Sequence, residues 1–307
     1  MKGSFGYIPD RKATEKFVAS LKYPTWRDAS PTIQLDDSAG PTLLYQPLLE
    51  LAPWWTRGSQ KNVGSCVGWG ASFAVDCTSA TEICLHGEPE SWGGRVLEAS
   101  VYAFSRCEAR GITNAGYSDG SYGAAAAEAI QSWGVLCYGV KYGDRVFTEH
   151  SSELEKSWGA TGVPQTLEPY AHEHRATTTL VTDFHSAAIA LQNGYSIFVC
   201  SNQGFATTRS KTSSGFCKPS GVWNHCMAFC GCRFDQPGLL CVNSWGDYLS
   251  ETGPNWPDNM PPAMTGSSFW VDEKTCNKML GQNDSFAVSN YAGFPSRKLK
   301  GFGFDDF

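Results

Sequence analysis

The chain has 307 residues, 41% hydrophobic and 13% aromatic, which is globular material for one large domain or two halves sharing a cleft. Its formal charge is −6, and the short RKLK at 297–300 is its basic cluster, so a nucleic-acid-binding surface is not expected. No apolar run approaches the length of a membrane span, which argues against a membrane partner.

The opening stretch MKGSFGYIPDRKATEKF lacks an apolar core followed by a small-residue cleavage site, so no signal peptide is expected. The location that follows is cytoplasmic or virion-associated. The twelve cysteines then read as thiols rather than a disulfide framework. Residues 1–58 look irregular to extended, with YPTWRDASP and DDSAGPT as turn clusters, and are expected to pack on the core. From Cys66 to Leu85 the pattern turns helical. Cys66, Gly70, Phe73, Ala74, Cys77, Ala80 and Cys84 recur at three- and four-residue spacing, and Gly87 serves as the stop. A stripe of such small residues predicts a closely packed, central helix.

A second helix is predicted from Arg95 to Arg110, ended by Gly111, and a third over GAAAAEAIQSWG, ended by Gly134. Residues 59–150 therefore form a helical subdomain. Beyond Val163 the character changes. DFHSAAIALQNG (183–194) is one more helix, with Asp183 as N-cap and Gly194 as terminator. Strands are predicted at YSIFVC (195–200), VWNHCMAFCGCRF (222–234), GLLCVNSW (238–245), SSFWV (267–271) and SFAVS (285–289). Residues 151–290 form a strand-rich subdomain, and 291–307 a flexible tail. GPNWPDNMPPAMTG (253–266) reads as a long loop able to overhang the cleft. A helical half followed by a strand-rich half predicts an α+β protein with the cleft between its halves.

Cys66 carries the chemistry. Free N–H groups and the helix dipole at a helix start favour a thiolate, the attacking species. Gly64 lets the chain turn and lets a substrate approach closely. Cys77 and Cys84 share the helix face but lie about 16 and 27 Å further along the axis, too far to join the site. A thiolate needs a proton partner, and histidine suits that role near neutral pH. His86, His150, His172, His174 and His185 sit in helical or polar surroundings. His225 differs, because it opens the apolar strand HCMAFCGC, where a side chain can face a cleft while the strand body is buried. The base needs an orienter, and the next strand ends in VNSWG. There Asn243 can accept from the imidazole, and Trp245 can cover that bond from water. The oxyanion donors are the Cys66 backbone N–H and the Gln60 side-chain amide.

In this order the residues resemble the papain-like cysteine proteases. Gln60, GSC at 64–66, His225 before an apolar strand, and NSWG at 243–246 follow the family's chain order over roughly residues 50–290. His225 lies about 160 residues beyond Cys66, against roughly 130–150 in the family, which implies an insertion or two. SDGSYGAAAAEAIQSWGV (118–135) is similar to the family's glycine-containing segment beside the main side-chain pocket. GYIPD is similar to the opening of leaderless bacterial and viral-type relatives.

The resemblance implies a two-subdomain α+β fold, a helical left half and a β-barrel-like right half with the active-site cleft between them. It makes Cys66 the nucleophile, His225 the general base and acid, Asn243 the orienter and Gln60 the oxyanion donor. Gly64, Ser65, Asp119, Gly120, Ser121 and Trp245 become substrate-binding residues. The implied activity is hydrolysis of peptide bonds through an acyl-thioester, with a peptide or protein as substrate. Val67 stands where the family usually has tryptophan, and Val63 where a cysteine often stands. The 65 residues before Cys66 hold no counterpart of the long inhibitory propeptide of secreted members.

Three other readings stand beside this one. Structural zinc is weighed because His225, Cys226, Cys230, Cys232 and Cys241 crowd one region. Strand alternation puts Cys226, Cys230 and Cys232 on one face and His225 on the other, so core cysteines are expected and neither metal nor cofactor is called for. A catalytically silent papain-fold binding or particle-structural protein would keep the fold without the reaction. A thiol amidase or transferase would use the same triad on another amide.

Overall fold

The computed structural model describes residues 5–86, 94–113, 119–211, 214–250 and 253–289. The Gly87 stop, the RKLK cluster and the predicted tail lie outside them. The segment before residue 59 is more regular than the sequence suggested. It holds α1 (Arg11–Ser20), α2 (Trp26–Ala29), the short strand β1 (Thr42–Leu43) and α3 (Tyr45–Leu51). Asp10 caps α1 by accepting from Ala13 N, and Thr25 and Asp28 form a capping box on α2.

The predicted central helix is α4 (Cys66–His86). Every residue of its first three turns is buried, so it runs through the molecule rather than lying on it. The helix predicted at 95–110 begins later and changes form. It is α5 (Glu98–Ala103) continued by a π turn at Phe104–Glu108. The helix α6 (Gly123–Ser132) follows, then the small hairpin of β2 (Lys141–Tyr142) and β3 (Arg145–Val146). The helical half is completed by α7 (Ser152–Thr161) and α8 (Glu168–His172).

The second half contains β4 (Thr177–Leu180), α9 (Phe184–Gln192), β5 (Ile197–Arg209), β6 (Cys217–Arg233) and β7 (Gly238–Val242). It ends with α10 (Pro262–Thr265), β8 (Ser268–Asp272), α11 (Glu273–Leu280) and β9 (Phe286–Ser289). Asp183 caps α9 as expected, accepting from Ser186 N. Among the described residues these strands form one seven-stranded sheet in the order β4-β9-β5-β6-β7-β8, with β1 added on β6. This path is open, not a closed barrel.

The core divides by layer. One apolar cluster lies between the sheet and α3, α9 and α11; a second joins α4 and α6 to Phe198, Cys226 and Phe286; a third lies among α5, α7 and α8. The proline-rich loop does not overhang the cleft at its aromatic end. Trp256 packs on Trp270 and on Arg233, at the end of β6 far from His225. Among the described residues, no helix is long and apolar enough to cross a membrane.

Candidate active site

Cys66 opens α4, and His225 sits where β6 passes from solvent into the core. Residues 218–224 of that strand are largely exposed, whereas His225 and every residue after it to Arg233 are buried. Asn243 is the first residue beyond β7, held by its N–H on Ser267 O. Strand pairing of β6 with β7 brings the two together, and His225 Nε2 lies 2.7 Å from Asn243 Oδ1. That oxygen also accepts from Ser244 N at 2.6 Å, so it is the carbonyl side of the amide that faces the ring. A neutral imidazole must therefore carry its proton on Nε2, leaving Nδ1 as the base. Nδ1 is buried without a hydrogen-bond partner among the described residues. The Trp245 ring stacks on the imidazole at 4.6 Å and 30° and closes that face to water. Burial drives the His225 pKa down to about 4; the bond to Asn243 works against this, and the Arg57 charge adds to it.

The sulfur of Cys66 receives backbone N–H groups from Cys226, Gly6 and Val67. Cys226 adjoins His225, so β6 delivers both the imidazole and a donor to the same place. A helix start is expected to acidify a thiol, yet the Cys66 pKa is pushed well up. Complete burial is the first cause, and the three N–H groups only partly offset it.

The cover is a stretch of the chain itself. Residues 5–8 lie extended in the groove, with Tyr7 N donating to Asn224 O at 3.2 Å, Ile8 N to Ser121 O at 2.8 Å, and Ser121 N to Gly6 O at 2.9 Å. Phe5 meets the rings of Trp245 and His225 edge-on. Gly6 and Gly64 touch backbone to backbone, and a Cβ on Gly6 would sit 1.8 Å from Gly64 O. The Tyr7 hydroxyl donates to Asp284, which also receives Gly123 N, Ala124 N and the Thr14 hydroxyl. Behind it a cavity of about 510 Å³ opens between α1 and the 281–284 turn. No counterpart of a long inhibitory propeptide was expected before Cys66, and residues 5–8 there form a short strap across the groove.

The remaining site candidates fall into two groups. Gly64, Gly120 and Ser121 touch the strap directly, and Asp119 braces them by accepting from Gly64 N at 3.1 Å. Ser65 turns inward. Its hydroxyl donates to Glu155 Oε1 at 3.0 Å, an acceptor shared with Trp69 Nε1 at 2.7 Å, and His150 Nε2 lies 3.2 Å from the other carboxylate oxygen. Gln60 is fully buried, donating through Nε2 to Val63 O at 2.8 Å and accepting from the Ser244 hydroxyl at 2.5 Å. Arg57, Asn224, Glu155 and the strap were not singled out from the sequence. A lone cation in the aromatic run WWTRG was the available signal for Arg57. The cysteines Cys226, Cys230, Cys232 and Cys241 are all buried in the sheet core.

No protein-family model matches the sequence, and no curated protein sequence matches it. The fold, however, has solved counterparts. Xylellain, a cysteine protease from Xylella fastidiosa, superposes with a TM-score of 0.54 at 14% identity, over 94% of this chain and 92% of that one. Procathepsin B S9 from Trypanosoma congolense superposes with a TM-score of 0.52 at 9% identity, over 94% and 86%. With a central helix opening on Cys66 and an open sheet carrying His225 and Asn243, the chain has the α+β fold of the papain-like cysteine proteases.

Proposed function

We propose that the chain is a cysteine peptidase that hydrolyses peptide bonds through Cys66, His225 and Asn243. The observation that most supports this reading is the extended peptide already lying in the groove. Residues 5–8 meet Ser121 and Asn224 through main-chain hydrogen bonds, the side-chain-independent mode by which a cleft receives a polypeptide. The strap must leave before a substrate enters, and its departure also relieves the burial that holds the thiol protonated.

In the reaction, His225 Nδ1 takes the Cys66 proton and the sulfur attacks the scissile carbonyl. The backbone N–H of Cys66 and the Gln60 amide stabilise the oxyanion. The imidazolium then returns its proton to the leaving amine, and an acyl-thioester remains. Water, deprotonated by His225, attacks that ester and regenerates the thiol. Asn243 holds the ring so that Nδ1 faces the reacting atoms throughout.

The test is intact-mass analysis of the full chain after exposure to an epoxide-type mechanism-based thiol-protease inhibitor, alongside hydrolysis of a peptide library. One adduct on Cys66 is expected. Cys66→Ala should abolish it and lower hydrolysis by on the order of a thousandfold or more. Hydrolysis at the original rate by Cys66→Ala would overturn the assignment, and absence of hydrolysis despite a Cys66 adduct would favour a silent or non-peptide-cleaving relative.

A further inference from the structure

Arg57 is a buried cation that the reaction just described does not use. It lies in the turn before Gln60, is 4% exposed, and packs its guanidinium against the rings of Trp69 and Phe73. Taking such a group out of water costs several kcal/mol unless its donors are met, and an apolar side chain of similar size is often at least as stable there. Packing alone therefore gives no reason for an arginine at this place. Among the described residues, no carboxylate pairs with it. Asp76 and Glu98 favour its charge only at a distance, while Arg95 opposes it.

Its donors go instead to two main-chain carbonyls on different elements, one in α4 and one just beyond β7. Nε reaches Asn243 O at 3.0 Å, and Nη1 and Nη2 fork onto Trp69 O at 3.4 Å. Trp69 stands in the first turn of α4, the helix that begins with Cys66. Asn243 carries the carboxamide that holds His225. Neighbouring contacts continue the same seam, because Gln60 N donates to Ser244 O at 2.9 Å and Ser59 bridges Trp245. A lysine ammonium is a point donor and lacks the planar fork, so it can meet one of these carbonyls well but not both.

We propose that Arg57 is a positioning residue for the candidate triad: by bonding Asn243 O and Trp69 O together, it fixes the carboxamide on His225 relative to the helix that carries Cys66. Its catalytic meaning rests on the peptidase reading, but the geometry can be tested without any turnover.

The experiment uses the full chain labelled with ¹⁵N-histidine and follows solvent exchange of the His225 Nε2–H proton, assigned by its loss in His225→Gln. In the unmodified protein this proton is buried and bonded to Asn243, so its exchange should be slow. Arg57→Met should speed that exchange by roughly tenfold or more, the factor that matches loss of one ordinary hydrogen bond. In a parallel ¹⁵N-tryptophan sample, the indole N–H signals of Trp55 and Trp69 should persist and report an intact core. Arg57→Lys, which keeps the charge, should fall between the two and serves as the deciding variant if Arg57→Met does not fold. Where hydrolysis is measurable, kcat should fall about tenfold for Arg57→Met while KM stays within about twofold, the split expected of lost alignment. Unchanged His225 N–H exchange in a folded Arg57→Met, or in Arg57→Lys where the methionine variant fails, would overturn the inference. A protein that shows the exchange effect but never cleaves a peptide would sink the peptidase reading and leave this one standing.

Discussion

An imidazole kept neutral by burial leaves a signature in stability. The His225 pKa falls from its ordinary value near 6.5 to about 4, with burial as the main cause. Between those values the unfolded chain binds more protons at this site than the folded one. The histidine's contribution is therefore fully present above pH 6.5 and lost as the pH falls to about 4, a swing of about 3 kcal/mol. Asp76 and Asp284 work in the opposite direction, since burial raises both to about 7 and acidification favours their folded, protonated forms. The whole-protein profile mixes these effects, so a difference is needed. Urea unfolding of the unmodified chain and of His225→Gln should show the stability gap between them narrowing by about 3 kcal/mol from pH 7 to pH 4, in the direction of the variant. A gap that stays constant would mean that His225 is not buried as described. At this scale residue type itself carried the signal: His225, Asn243 and Trp245, each singled out in the sequence, lie in contact with one another, and the strap runs between them and Cys66. Ser65, expected to bind substrate, instead gives its hydroxyl to Glu155, in a helix about 90 residues away that no local pattern links to it.

The strap illustrates what elements add. Local pattern reads GYIPD as extended, which it is, but gives no sign that the segment turns back across the groove. What anchors it is long-range: the hydroxyl of Tyr7 and that of Thr14 in α1 both donate to Asp284, just before β9. Removing residues 1–8 should uncover the thiol. Three main-chain hydrogen bonds at about 1 kcal/mol each correspond to on the order of a hundredfold faster alkylation of Cys66 by iodoacetamide. Tyr7→Phe, which loses only the hydroxyl contact, should give a smaller rise. Equal alkylation rates in the full and shortened chains would show that the strap does not guard the sulfur. Helices α6 and α9 were legible because small or apolar runs end at glycines, and Gly134 and Gly194 both adopt positive φ. The outer parts of β5 and β6 were missed for a physical reason. In β6, residues 218–221 stand in solvent, so no apolar alternation marks them as strand. The helix expected at 95–110 hid its π turn, since an extra residue per turn leaves little trace in a short apolar pattern.

Across the whole molecule, the two halves are joined by α4 packed on β6, the contact that sets where Cys66 lies relative to His225. The small-residue stripe foretold a close approach, but not that the helix would be enclosed on every side. It also could not foretell an open sheet, because closure depends on strand tilt and register rather than on any one segment. Gly70 is where the approach is tightest. A Cβ there would lie 2.8 Å from both Cys226 Sγ and Met227 O, and the second of these is backbone that cannot swing aside. Gly70→Ala gains about 1 kcal/mol in helix propensity. Against that, forcing α4 off the sheet costs about 1–3 kcal/mol, or more if the carbonyl must move. The variant should therefore be less stable by up to about 2 kcal/mol in urea unfolding, and by more if the carbonyl is displaced. Because the displacement separates the helix of Cys66 from the strand of His225, inhibitor adduct formation on Cys66 should slow as well. A variant as stable as the unmodified chain, with undiminished adduct formation, would show that α4 and β6 have room to spare and that their contact does not set the spacing of Cys66 and His225.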